Sequence, residues 1–330
     1  MLGPLQTIEM LERYAANTYG DRLPIVADHG CGALLYDKEG KCYLDFMTSY
    51  AVLGFGHRHP ALRRALLDQL DRLPVCSQAI PTEAFAIFCK SLAEFCGMDK
   101  VLAAVDGAGA VDRAIKLCRR LGYQELGVPE GKAEIISCRR SFHGRTLGAL
   151  SLMDNPDYKM NFGPFPNGFK HIQFGNIASL KRAISLNTVA FFFEPIQGEG
   201  GVIVPPDGYL YEAREICREN EVLMVADEIQ TGFGRTGYDL ACHYESVQPD
   251  VFLFSKALGG GLLPISAVVT TEKIMNVMGP GDDGSTFGGY PLGCAVAVEA
   301  IKVLREEELS KNARTLGAYF LDELKEIKNP

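Results

Sequence analysis

From about residue 100 onward the chain alternates short apolar runs with segments of helical period, and this rhythm constrains its fold most. The runs are VLAAV (101–105), AEIISC (133–138), VAFFFEP (189–195), VLMVADE (222–228), VFLFS (251–255) and ISAVVTT (265–271). Most are apolar at successive positions rather than at alternate ones, the mark of strands covered on both faces. Between them lie segments such as AVDRAIKLCRRL and DGYLYEAREICREN, with apolar residues three and four apart. This order predicts an α/β fold with a mainly parallel sheet under helices on both sides. The first hundred residues read differently. GCGALLYDKEGKCYLDF predicts a β-hairpin turning at DKEGK, and PALRRALLDQL a helix. At 330 residues the chain exceeds the size, roughly 250–300, at which single cores stop growing. The expected division is an N-terminal segment of a small domain (1–50), a large α/β domain (51–300) and the start of a C-terminal small domain (301–330).

Ligands of an open parallel sheet bind beyond the carboxyl ends of its strands. The polar residues expected at that rim are Glu194, Asp227 and Lys256, together with the glycine loop after Val105. Lys256 follows an apolar strand and precedes three glycines. Alone, it reads as a lysine whose stem covers apolar surface while its amine reaches water. Asp227 either caps its loop or serves as a buried anion, which requires a cation or several donors. In VLAAVDGAGAVDRAIK the order strand, turn, helix offers backbone N–H groups to an anion. Gly107 and Gly109 also imitate a dinucleotide fingerprint, but Asp112 stands at the third glycine, which weakens a nicotinamide-dehydrogenase reading.

Composition excludes several classes. A formal net charge of −8 argues against a broad nucleic-acid or anionic-membrane surface. No apolar stretch reaches membrane-spanning length, and MLGPLQTIEMLERYAANTYG lacks the pattern of a secretory signal. The ten cysteines show no C-x-x-C pair and no zinc spacing, as expected of thiols in a reducing compartment, hence the cytoplasm. His57 and His59 lack a third ligand, so a loop or helix-entry role is expected and no metal.

Five motifs then occur in order: FHGRT (142–146), EPIQGEGG (194–201), DEIQTGFGRTG (227–237), SKALGGG (255–261) and GSTFGG (284–289). Together the series resembles the class III pyridoxal-phosphate (PLP) aminotransferases of fold type I, and among them the branch acting on ornithine. The resemblance runs from NTYG at Asn17 to the tail helix. It implies that Lys256 forms the Schiff base with PLP and later shuttles the substrate proton. Asp227 is then the partner of the pyridinium nitrogen, Phe142 and Ile229 flank the ring, and Gln230 bonds its phenolic oxygen. The phosphate is expected on Gly107 and Ala108 beside Asp106, with Ser285 and Thr286 arriving from a second subunit, so a homodimer is implied. Tyr19, Tyr50 and Arg145 match positions that recognise substrate carboxylates. Glu199 matches a glutamate that shields a C-terminal arginine, and Glu194 has a supporting place.

The implied activity is ω-transamination of L-ornithine with 2-oxoglutarate, giving glutamate 5-semialdehyde and L-glutamate. Acetylornithine or another ω-amino donor is the alternative within the family. A catalytically impaired, truncated relative that dimerises or binds a partner is the alternative outside it. Three positions depart from the pattern: Asp106 replaces a Ser or Thr, Gly109 a Glu, and Tyr290 an Asn. The helical tail also stops at KNP, ahead of the subdomain that carries the shielded arginine, so a chain cut short is expected.

Overall fold

A computed structural model of the chain describes residues 2–19 and 22–327. Strands β1 (Ala27–Cys31), β2 (Leu34–Asp37) and β3 (Cys42–Leu44) form a small antiparallel sheet in the order β1-β2-β3. The expected hairpin is β2–β3. Its turn closes on Asp37, whose carboxylate accepts the N–H groups of Glu39 and Lys41 and the hydroxyl of Tyr43. β1, which the alternation does not reveal, pairs with the other edge of β2.

The large sheet contains β4 (Lys100–Ala104), β5 (Glu134–Cys138), β6 (Phe169–Ile172), β7 (Thr188–Phe193), β8 (Leu223–Asp227), β9 (Val251–Phe254) and β10 (Ser266–Thr270). Their order is β4-β10-β9-β8-β7-β5-β6. β5 to β9 run parallel, whereas β10 is antiparallel to both of its neighbours, β4 and β9. All six apolar runs are strands. The seventh, β6, is the edge strand FKHI, too short and too polar to stand out in the sequence.

Side chains alternate between two cores, one on each face. Phe191, Phe193, Met224, Ala226, Phe252 and Phe254 enter one. Ala190, Phe192, Val225, Val251 and Leu253 enter the other. This double burial is why the strands read as continuous apolar runs. The Gly107–Gln124 helix lays Val111, Ala114, Ile115 and Cys118 on the second face. The Glu83–Cys96, Tyr209–Glu219 and Pro291–Glu306 helices cover the first. The last helix, Leu309–Glu326, lies outside this layer: among its residues Ser310 is buried, while Leu316, Tyr319, Leu321 and Leu324 are exposed. His57 bonds Asp45, and His59 stands at the N-cap of the Pro60–Leu70 helix and reaches Glu307.

Candidate active site

Three adjacent parallel strands deliver the chemistry to one rim. Asp227 is the last residue of β8, Glu194 follows β7 directly, and Lys256 lies two residues beyond β9. Asp227 pairs in register with Leu253, so aspartate and lysine leave neighbouring parallel strands at the same, carboxyl end of the sheet. Lys256 opens a single 3-10 turn, Lys256–Gly259, at φ 45°. An L residue rarely occupies that region, and such strain gathers at functional sites. The fourth contribution comes from the turn after β4, where Asp106 caps the Gly107–Gln124 helix.

These elements enclose a cavity of about 560 Å³ including its mouth. Of the expected residues, Lys256, Asp227, Glu194, Glu199, Ile229 and Gln230 line it, and so do Phe142, Gly107 and Ala108. Gly107 lies against Ile229: a β-carbon there would stand 3.1 Å from its Cδ1. At Gly198 a β-carbon would overlap the Gln230 amide oxygen, so this glycine leaves room for the Gln230 side chain. Gln230 in turn donates from Nε2 to Glu199 Oε1 at 3.3 Å.

Other expected residues sit outside this lining. Asp106 is exposed, with Oδ1 accepting the Gly109 N–H at 2.8 Å. Arg145 lies at the approach, its guanidinium 3.7 Å from the Tyr158 ring centroid and 5.3 Å from that of Phe142. Tyr19 and Tyr50 are exposed, and Tyr50 lies in a stretch of positive φ running from Thr48 to Ala51. Ser285 and Thr286 are exposed on the loop before the Pro291–Glu306 helix. Ser285 Oγ accepts the Gly288 N–H there.

Sequence reasoning missed His143. It is 2 % exposed, and its Nδ1 lies 2.7 Å from Asp227 Oδ2. Asp227 Oδ1 accepts the Ile229 N–H at 3.1 Å, so both carboxylate oxygens are engaged. Only the position of His143 inside FHGRT pointed to it; nothing in one sequence pairs residues 84 apart. Burial opposes protonation of His143, but the hydrogen bond and charge of Asp227, with Glu194 behind them, hold its pKa above the ordinary value. Glu194 accepts the N–H groups of Phe142 and Gly198, which fixes the loops on both sides. Burial pushes its carboxyl up to about 7; His143 works against that shift and Asp227 adds to it.

Lys256 is displaced the other way. Burial lowers its pKa and Arg235 adds to that, while Asp227, Glu199 and Glu194 restrain the shift. A desolvated lysine holds more neutral amine at a given pH than an exposed one, and neutral amine is the nucleophile. The rim therefore combines a desolvated amine, a buried carboxylate with fixed geometry, the apolar side chains of Phe142 and Ile229 and a helix N-terminus. Those features fit a flat cationic heterocycle carrying an aldehyde and a phosphate.

Comparison with known proteins agrees with this geometry. Residues 14–330 match the family model described as aminotransferase class-III. The ornithine aminotransferase of Brevibacillus brevis is 48% identical over 98% of this chain and 81% of its own length. That of Bacillus subtilis is 44% identical over the same shares. Among solved structures, the ornithine aminotransferase of Toxoplasma gondii superposes with a TM-score of 0.95 at 41% identity, over 98% of this chain and 76% of that one. The acetylornithine aminotransferase of Elizabethkingia anophelis gives 0.88 at 39%, over 98% and 79%. Fold, rim and relatives converge: the chain belongs to the class-III aminotransferase family, enzymes that use pyridoxal phosphate.

Proposed function

We propose that this chain is an ω-aminotransferase that takes the terminal amine of L-ornithine and passes it to 2-oxoglutarate. The observation that carries the reading is Lys256, desolvated at a strand end beside the bonded Asp227–His143 pair. The names of the similar enzymes favour ornithine as the donor. Bound PLP supplies an electron sink next to the reacting carbon. Asp227 would hold the ring nitrogen's proton, with His143 and the Ile229 N–H keeping its carboxylate in place. Phe142 and Ile229 would flank the ring, Gln230 would meet its phenolic oxygen, and the Gly107 and Ala108 amides would take the phosphate. Lys256 Nζ would remove the proton from the donor's amine-bearing carbon and return it on the cofactor side.

Carboxylate recognition falls to Arg145, Tyr19 and Tyr50 in this reading. Glu199 provides the anion that a cationic donor meets and a dianionic acceptor must avoid. Its present partner, the neutral amide of Gln230, is easily exchanged. We also propose a homodimer in which Ser285 and Thr286 reach the partner's phosphate; their exposure on one loop suits that role. The division at residues 50 and 300 and a cytoplasmic location, consistent with ten free cysteines, belong to the same reading.

A panel of ornithine, acetylornithine, 4-aminobutyrate and lysine, each with 2-oxoglutarate, tests the substrate. Ornithine is expected to give the highest kcat/KM by at least about tenfold, the factor that 1.4 kcal/mol of discrimination supplies. Comparable turnover of acetylornithine would remove the ornithine assignment.

A further inference from the structure

We infer that Arg113 is a positioning residue for the cofactor's phosphate, its guanidinium offsetting the Asp106 carboxylate at the anion-binding end of the cavity. The inference rests on the reading of that cavity as a PLP site. Asp106 caps the Gly107–Gln124 helix, and the next two residues, Gly107 and Ala108, line the cavity. An anion entering there meets favourable amides and an unfavourable carboxylate together.

Arg113 stands on the same helix, four residues or about one turn beyond Gly109. A β-carbon built on Gly109 would lie 3.4 Å from Arg113 Nη1 and 3.5 Å from each Asp106 carboxylate oxygen. Guanidinium and carboxylate thus flank one glycine, and its missing side chain leaves the space between them open. All three nitrogens of the guanidinium are committed. Nε donates to Asp283 Oδ1 at 2.8 Å, Nη1 to the Gly109 carbonyl at 3.2 Å, and Nη2 to the Gly284 carbonyl at 3.2 Å. Lys116 bonds the other oxygen of Asp283 at 2.7 Å. The side chains of Arg113 and Asp283 are 13% and 9% exposed, and Asp283 is shared by two cations, Arg113 and Lys116, so the three side chains keep one net positive charge that water screens only in part. Arg113 therefore acts by its field and by anchoring the segment that leads into Ser285, rather than as a ligand. Of the other acids nearby, Asp112 accepts the Thr146 hydroxyl and Asp282 pairs with Arg120.

Absorbance titration of the cofactor-stripped protein with PLP, and with pyridoxal, which lacks the phosphate, separates charge from folding. Arg113→Gln should weaken PLP about tenfold and leave pyridoxal unchanged, since a unit charge several ångströms away is worth about one pKa unit. Asp106→Asn should strengthen PLP by a similar factor, again without effect on pyridoxal. Unchanged PLP affinity in Arg113→Gln, or an equal loss for both ligands, would overturn the inference. If the unaltered protein took up neither ligand, the cofactor reading itself would fall and this inference with it.

Discussion

Lys256 and Asp227 sit one strand apart, and the contacts around them explain why each holds its state. The lysine has lost water and kept a positive-φ backbone; the aspartate has two fixed donors. Asp227→Asn keeps the shape and removes the charge that, in the proposed function, would retain the ring proton. It should lower kcat by at least about a hundredfold, the usual cost of one preorganised electrostatic contact. Steady-state kinetics alongside PLP affinity checks this, because kcat should fall more than affinity. Glu194 gives a second prediction. Its folded pKa, about 7, exceeds the ordinary 4.5, so between those values the folded state binds more protons than the unfolded state. Stability is therefore lost as pH rises through that window, and the raised pKa of His143 acts in the same direction. Glu194→Gln removes the first of these two contributions. Urea unfolding of the cofactor-stripped variant should lose roughly 1–3 kcal/mol less than the unaltered protein between pH 5 and 8. Equal slopes would contradict this account of Glu194.

At the scale of elements, the strands were legible because both faces of each are buried, and the helices because their apolar stripes lie on one of two cores. β1 and β6 escaped notice for the opposite reason. Both are edge strands with polar residues, and pairing rather than burial makes them strands. The rim residues Glu194, Asp227 and Lys256 were legible since polar residues interrupt apolar runs there. His143 was not, as its role comes from a contact formed by folding. The two tail helices illustrate the same difference in burial. Leu304 is 1% exposed in the Pro291–Glu306 helix, whereas Leu316 is 55% exposed in the next. Leu304→Ala should cost about 2–5 kcal/mol, and Leu316→Ala below about 1 kcal/mol. Denaturant midpoints of the two variants would test this; comparable losses would mean that Leu316 is covered in solution.

For the whole molecule, the sheet order brings β7, β8 and β9 together, and this adjacency turns three separate strand ends into one site. A homodimer predicts sedimentation at twice the chain's 36.1 kDa mass. It also predicts that altering Ser285 and Thr286 weakens PLP, because in the proposed dimer they would supply the partner's phosphate with hydroxyl donors. Everything proposed here depends on Lys256 as the residue that would carry the cofactor. Borohydride treatment of the PLP-loaded protein, followed by digestion and mass spectrometry, examines that bond itself. The pyridoxyl mass is expected on the peptide containing Lys256, and nowhere in Lys256→Ala. The same mass on another lysine, or no stable adduct in the unaltered protein, would contradict it.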